Sequence, residues 1–398
     1  MKFSPTQILM NKIIVKSRAD KRISNGHLWV FSNELKEIPK LEPGCIVDVF
    51  SENGKSHGYG FYNPNSLISV RMLNTYGEIN SEFFEIRFIR ALDKRKLLFP
   101  DENSFRLVFG ESDWLPGLIV DKFEDYFSIQ ILSAGMENLR ELIIQALLAV
   151  FPETKGILAK NNSTIRQAEG LPLYVETVFG TIPDSLMITE NGIIFAVSLA
   201  TGQKTGFFFD QKENRKLIQR ICKGKTVLDC FTNQGGFALN AAKAGAASIL
   251  GSDSSNEEII RAKENANLNN FNNVDFVCAD VFEFLESEIR HKNQWDVIIL
   301  DPPAFAKSKK SVPSAKKGYA RLNSLALTCL NDSGFLATSS CSHHIYEDTF
   351  YNIIISEAEK LGKSLNLVFR GLQSPDHPIM ASMKETQYLK FFIFQNRL

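Results

Sequence analysis

The sequence predicts an α/β protein in three parts, with a parallel sheet covered by helices on both faces in its C-terminal half. Three observations carry this. From Thr226 onward, apolar strand-like runs alternate regularly with helical ones, the rhythm of parallel strands joined by crossover helices. The stretch up to about Asn74 breaks into short apolar runs punctuated by Gly and Pro, which suggests a small β-barrel. Between the two, the hydrophobic period changes and a small α+β unit is expected. The resulting boundaries are residues 1–76, 77–190 and 191–398.

Each element follows from local pattern. Ile13–Val15, Cys45–Phe50 and Leu67–Leu73 read as strands, with Leu41-Glu42-Pro43-Gly44 and Gly58, Gly60 and Pro64 as turns. Glu82–Leu98 mixes apolar and basic positions as an amphipathic helix does, and Leu139–Phe151 is strongly helical. Phe105–Val108, Ile119–Asp121, Tyr126–Leu132, Gly156–Lys160 and Ile193–Ser198 are strand-like. In the last part strands are expected at Thr226–Phe231, Ser248–Asp253, Val274–Ala279, Asp296–Leu300, Phe335–Ser339 and Ser364–Phe369. Helices fall between them, at Gly236–Ala244, Asn256–Asn269, Val281–Arg290, Lys317–Leu330 and Tyr346–Leu361. Gln387–Gln395 follows a turn without a long helix, so it is expected to pair antiparallel.

Composition narrows the function. Lys+Arg and Asp+Glu are equal at 45 each, which argues against a globally basic nucleic-acid coat and leaves room only for local basic patches. The six cysteines, at 45, 222, 230, 278, 329 and 341, form no C-x-x-C pair. Reduced thiols in a cytoplasmic enzyme are the expectation, with no metal site. Neither a leader in Met1–Met10 nor a membrane span is expected.

The chemistry concentrates at strand ends. Val227-Leu228-Asp229-Cys230-Phe231-Thr232-Asn233-Gln234-Gly235-Gly236-Phe237 is an apolar strand ending in an acid, a short loop, and two glycines opening a helix. Such a helix start offers unpaired N–H groups, and glycines let a ligand approach the backbone. Asp253 at the next strand end suits a ribose hydroxyl, and Asp280 after the third precedes an apolar run suited to adenine. Together they form a nucleoside site at the carboxyl edge of the sheet. G-x-G-x-x-G is absent, and an acid at the first strand end would repel a pyrophosphate but accept from an ammonium group. S-adenosylmethionine is favoured over NAD.

Asp301-Pro302-Pro303-Ala304-Phe305 ends the fourth strand. Its prolines fix a stiff turn, Asp301 and nearby carbonyls can accept from a flat base, and Phe305 could stack near it. Ser340-Cys341-Ser342 ends the fifth strand. Cytosine carbon-5 is a poor nucleophile; a thiolate adding to carbon-6 builds electron density on it, so that it can attack a methyl donor. Cys341 is the candidate nucleophile, whereas the other five cysteines are read as inert thiols.

These motifs together resemble the RlmI-type family of 23S ribosomal RNA cytosine-carbon-5 methyltransferases, over nearly the whole chain. The resemblance also rests on Val15-Lys16 through His27-Leu28-Trp29-Val30-Phe31, on Leu115-Pro116-Gly117-Leu118-Ile119-Val120-Asp121, and on Lys204-Thr205-Gly206-Phe207-Phe208-Phe209-Asp210-Gln211. It extends to Asp376-His377-Pro378 and Glu385-Thr386-Gln387-Tyr388-Leu389-Lys390. It implies an N-terminal PUA domain, a linker domain and a Rossmann-like class I methyltransferase domain. The implied cofactor site comprises Phe207, Phe208, Gln211, Asp229, Phe231, Thr232, Asn233, Gly235, Gly236, Phe237, Asp253, Asp280, Asp301 and Pro302. Cys341 takes the nucleophile's place and Asp301 acts beside it. Ala304 stands where other cytosine methyltransferases carry a second cysteine, so the base that removes the carbon-5 proton is not identified.

For RNA, Lys16, Arg18 and Lys21 lie near Trp29 in sequence, and Lys307 and Lys309 follow Phe305 on the candidate catalytic loop. The target would be a single-stranded or flipped-out cytosine of 23S ribosomal RNA. A homodimer is expected by analogy alone. The rival readings are methylation of a guanine or adenine nitrogen, which needs no thiol, a non-catalytic RNA-binding assembly factor, and, more distantly, an NAD-linked oxidoreductase.

Overall fold

The computed structural model describes residues 11–73, 75–202, 205–306 and 308–397. Met1–Met10, Lys204 and Lys307, to which expectations were attached, lie outside the described residues. The chain divides into two compact units. One comprises the residues up to Ser185 with Ser198–Phe208 and Pro375–Thr386; the other comprises Leu186–Val197, Phe209–Ser374 and the residues from Gln387 on.

The first unit opens with β1 (Asn11–Val15), α1 (Ser17–Ser24), β2 (Trp29–Phe31), β3 (Cys45–Ser51), β4 (Ser56–Tyr62) and β5 (Ile68–Met72). The strands form one sheet in the order β1-β3-β4-β5-β2. Ile13, Val15, Val47, Val49 and Val70 alternate inward to a core shared with Leu28 and Met383. The basic segment holding Arg18, Lys21 and Arg22, in a stretch whose Gly and Pro pattern predicts strands and turns, folds as α1. Its polar composition hid a helix that buries only Ala19.

The same unit continues with α2 (Ser81–Leu98), β6 (Ser104–Phe109), β7 (Leu118–Phe123), β8 (Tyr126–Ile131), α3 (Ala134–Asn138), α4 (Arg140–Val150), β9 (Gly156–Asn161), α5 (Ile165–Ala168) and β10 (Tyr174–Gly180). Asn80 caps α2 by accepting from the Phe83 N–H at 3.0 Å. The helix then buries Phe84, Phe88, Ala91 and Arg95, one stripe at helical spacing. That stripe and Ile143, Ala146 and Leu147 of α4 join the core formed with the sheet β10-β9-β8-β7-β6.

The second unit contains β11 (Leu186–Glu190), β12 (Ile193–Val197), α6 (Lys212–Cys222), β13 (Thr226–Cys230), α7 (Gly236–Lys243), β14 (Ser248–Asp253), α8 (Asn256–Leu268), β15 (Val274–Cys278), α9 (Val281–His291), β16 (Trp295–Leu300), α10 (Val312–Thr328), β17 (Leu330–Ser340), α11 (Glu347–Lys360), β18 (Ser364–Gly371) and β19 (Lys390–Arg397). Seven strands form one sheet in the order β15-β14-β13-β16-β17-β19-β18. Strands β15 to β17 run parallel, and β19 lies antiparallel between β17 and β18. Val297, Ile298, Ile299 and Leu300 are all fully buried, as expected for a strand covered on both faces.

The helix expected at Lys317–Leu330 begins earlier, at Val312, because Pro313 sits at its start, where a missing N–H costs nothing. It ends at Thr328. Crossovers run outward from β13 to β15 and then return to β16, so the strand order reverses between β13 and β16. In sheets of this kind, ligands bind at such a switch point, at the carboxyl ends of the two strands. Among the described residues, no helix is long and apolar enough to cross a membrane.

Candidate active site

Asp229, last but one in β13, is completely buried. Its Oδ2 accepts from the Thr232 hydroxyl at 2.6 Å and the Ala238 N–H at 2.9 Å. Its Oδ1 is buried with no hydrogen-bond partner among the described residues. Burial pushes the carboxyl up to about 7; the two hydrogen bonds oppose this, and the charges of Asp301 and Asp253 add to it. A buried acceptor with a vacant lone pair in an acidic surrounding fits a cationic ligand group and disfavours a pyrophosphate.

The loop after Asp229 departs from ordinary backbone. Phe231, Asn233 and Gly235 have φ of 65°, 50° and 85°. Glycine tolerates this freely and asparagine moderately, whereas a bulky phenylalanine there is a strained outlier. The loop is held by several bonds: Thr232 N–H to Ser252 O at 3.0 Å, Gly235 N–H to Thr232 O at 2.9 Å, and Asn233 N–H to Asp253 Oδ2 at 3.0 Å. Strain retained this way is characteristic of a ligand-binding loop. Asp253 also accepts from the Ser255 N–H at 2.9 Å.

Other predicted cofactor residues have commitments of their own. Asp280 is exposed and its Oδ1 caps α9, accepting from Phe282 N–H at 2.9 Å and Glu283 N–H at 3.1 Å. Phe237 is buried and stacks on Phe391 at 5.9 Å and 4°. Phe207 and Phe208 fall in the first unit, and Gln211 in the second.

Asp301 follows β16 directly. Its Oδ1 accepts from Gln211 Nε2 at 2.7 Å and from the Ser339 hydroxyl. Burial raises its pKa; the nearby Asp210 charge adds to this, against the Ser339 and Gln211 bonds and the Arg215 charge. Asp210 in turn accepts from the Tyr388 hydroxyl at 2.6 Å. Arg215 is bound by Glu190 in a bidentate pair at 2.6 and 2.8 Å, both side chains buried.

Cys341 leaves β17 half-buried, its Sγ 3.9 Å from the Pro302 carbonyl oxygen. A hydroxyl knot fixes this turn against the loop after β16. Tyr319 of α10 bonds both Ser340 and Ser342 at 2.9 Å, and Ser342 Oγ accepts from the Ala306 N–H at 3.1 Å. The Phe305 ring rests on Tyr319 at 4.6 Å and near Phe282 at 6.4 Å, and is half-buried. Gly318 allows this seat, because a Cβ there would stand 3.1 Å from the Phe305 ring. The structure thus brings Asp301, Pro302 and Cys341 together, and the charges of Asp301 and Asp253 both reach Asp229. Sequence reasoning missed Tyr319, Arg215 and Glu190, which carry no motif, and gave Asp210 no role although it stands inside a quoted one. Tyr388 and Lys390 stood inside a quoted motif with no role assigned.

In the first unit Lys16, Arg18 and Lys21 are exposed, and Lys16 and Arg18 line a groove with Arg22, Phe31, Asn33 and Leu67. Trp29 is half-buried; its indole N–H donates to Glu111 at 2.8 Å, and Arg71 lies 5.7 Å from its ring. In the second unit Lys309 is exposed ahead of α10.

Two family models match the chain: a PUA-like domain over residues 13–75, and an S-adenosylmethionine-dependent methyltransferase over residues 171–392. A protein of Vibrio cholerae serotype O1 named ribosomal RNA large subunit methyltransferase I is 37% identical over 394 residues, covering 95% of this chain and 97% of its own. One of the same name from Klebsiella pneumoniae strain 342 is 35% identical, covering 97% and 98%. Among solved structures, SMU.776, a candidate methyltransferase complexed with SAH, has a TM-score of 0.85 at 24% identity, covering 97% of this chain and 100% of its own.

If the Asp229 Oδ1 oxygen, unbonded among the described residues, receives the cationic group of the cofactor, affinity should depend on pH. The folded-state pKa of Asp229 is raised, so its contribution to stability is present below the ordinary carboxylate value and is lost as pH rises through about 7. A cation brought beside it reverses that cost. Affinity for S-adenosylmethionine should then rise about tenfold between roughly pH 5.5 and 8. Calorimetric titration should show this slope in the native protein and a flat profile in Asp229→Asn.

Proposed function

This chain belongs to the ribosomal RNA large subunit methyltransferase I family and is an S-adenosylmethionine-dependent ribosomal RNA methyltransferase; from that premise we propose that it methylates cytosine carbon-5 in 23S ribosomal RNA, with Cys341 as nucleophile. The observation that carries the reading is the half-buried thiol tied to the Asp301-Pro302-Pro303 loop, 3.9 Å from the Pro302 carbonyl.

When bound, S-adenosylmethionine supplies a methyl group activated by its sulfonium. The strained loop from Phe231 to Gly235 and the first turn of α7 would line its site. Asp253 holds the ribose hydroxyls and Asp229 the ammonium group. In this reading Asp301 and the Pro302 carbonyl accept from the cytosine amino group, fixing the ring flat beside Cys341. Sγ then bonds to carbon-6, and the electrons displaced from the ring double bond make carbon-5 nucleophilic. After methyl transfer a base takes the carbon-5 proton, the carbon–sulfur bond breaks and the thiolate is regenerated. Only an unstacked base can be reached in this way.

Lys16, Arg18 and Lys21, together with Lys307 and Lys309, would engage phosphates; residues 1–76 serve as the RNA-binding part, 77–190 as linker and 191–398 as the catalytic part. The enzyme would act in the cytoplasm, as a homodimer that equilibrium sedimentation can check. The deciding experiment incubates the protein with labelled S-adenosylmethionine and unmodified ribosomal RNA, followed by digestion to nucleosides. Label in 5-methylcytidine is expected; label in a methylated purine would overturn the cytosine reading.

A further inference from the structure

We propose that Lys390 is the buried counter-cation of the Cys341 thiolate, a positioning residue that holds the nucleophile in its reactive form; this rests on the reading of Cys341 given above. Lys390 opens β19 and lies opposite Ser340, the last residue of β17, in the antiparallel ladder. Its Nζ donates to the carbonyl oxygens of Ser342 at 2.7 Å and Tyr388 at 2.8 Å. Ser342 directly follows Cys341, so the ammonium is anchored to the very turn that carries the thiol.

The residue is 5% exposed. Among the described residues no carboxylate forms an ion pair with it. An ammonium taken out of water loses several kcal/mol of solvation, and proteins ordinarily restore this with a carboxylate. Two carbonyl dipoles solvate Lys390 in part but leave its charge uncompensated. The anion in a position to balance it is the cysteine one residue away from its anchor.

The surrounding charges agree. Burial pulls Lys390 down to about 8; Cys341 pushes it back most strongly, and Glu347 at the start of α11 adds to this. Tyr319 of α10 faces the same turn and stays a phenol, burial raising its pKa. Asp301 leaves β16 beside the turn but is engaged by Gln211 and Ser339. His343 in the turn itself lies against the Tyr388 ring at 5.5 Å, and the Tyr388 hydroxyl is given to Asp210. None of these supplies a cation anchored to the thiol turn as Lys390 does.

The chemistry balances without an outside reagent. The Cys341 S–H proton passes to water, leaving a thiolate beside the ammonium that Lys390 already carries. The thiolate electron pair forms the bond to carbon-6. When that bond breaks after methyl transfer, the pair returns to sulfur, and the ammonium again faces a thiolate. Lys390 so used is not the base that takes the carbon-5 proton, since it is already protonated at that stage.

The test is the pH dependence of Cys341 alkylation by iodoacetamide, read on its own peptide by mass spectrometry, in the native full chain, Lys390→Met and Lys390→Arg. Lys390→Met should move the midpoint up by about one pH unit and slow alkylation at pH 7 about tenfold, since one unit corresponds to a tenfold change in thiolate fraction. Lys390→Arg, which keeps the cation, should hold the native midpoint. Retained S-adenosylhomocysteine binding would show that the variants are folded; should Lys390→Met fail to fold, Lys390→Gln replaces it. A midpoint unmoved by removing the cation overturns the proposal while leaving the thiol mechanism intact. Ribosomal RNA methylation surviving in Cys341→Ala removes the premise, and the proposal with it.

Discussion

Cys341→Ala should lower methyl transfer at least about a thousandfold while leaving S-adenosylmethionine affinity unchanged, because the lost atom forms a bond only in the reaction. The side chain is half-buried, and its bond to the Pro302 carbonyl at 3.9 Å is a weak one. Stability should therefore scarcely change. A second measurement sharpens the result. RNA carrying 5-fluorocytidine cannot lose a proton from carbon-5, so the native enzyme should remain covalently joined to it and migrate as a retarded band on a denaturing gel. Cys341→Ala should give no such band. Full turnover in that variant would instead favour methylation of a ring nitrogen, which proceeds without covalent activation.

Glu190→Gln should have the largest effect on stability, about 3–5 kcal/mol, because it removes the carboxylate paired in burial with the Arg215 guanidinium. Glu190 holds both the Nε and the terminal nitrogen of Arg215, and its own side chain is only 1% exposed. Chemical denaturation of the full chain should show the loss. The double variant Glu190→Leu with Arg215→Met should recover most of it, since replacing a whole buried pair by apolar groups is far less costly than breaking one. Comparable losses in the single and double variants would show that the pair's worth lies in packing instead. Arg215 also lowers the Asp301 carboxyl through its charge, so the double variant, though stable, should carry an Asp301 carboxyl raised further.

Much of the catalytic unit was legible because its strands are buried on both faces. Such strands are unbroken apolar runs, and an acid closing one, as Asp229 and Asp301 do, marks the sheet's functional edge. The antiparallel β19 was legible for a different reason, namely that no helix precedes it to make a crossover. The chain also gave no local sign of the Arg215–Glu190 pair, whose members lie 25 residues apart. The left-handed backbone at Phe231 contradicts the preference of its side chain, so only tertiary bonding reveals it. For α1 the helix is amphipathic but nearly all polar, with one buried alanine, and its charge drew the reading toward RNA before structure. Asp280 shows the reverse case. An acid after a strand looked like a ligand residue, and it also serves the commonplace purpose of capping a helix.

The insertion of β19 between β17 and β18 has a temporal meaning. During synthesis β13 to β18 emerge before it, so the growing chain carries two strand edges, on β17 and on β18, that cannot yet find their common neighbour. Exposed edges of this kind invite pairing with other chains until they are filled. The strand that fills the gap also brings Lys390 to the thiol turn. Closing two strand edges of the nascent sheet and, in the mechanism proposed above, supplying the cation beside the Cys341 thiol are therefore one event, and a partly made chain would lack that cation.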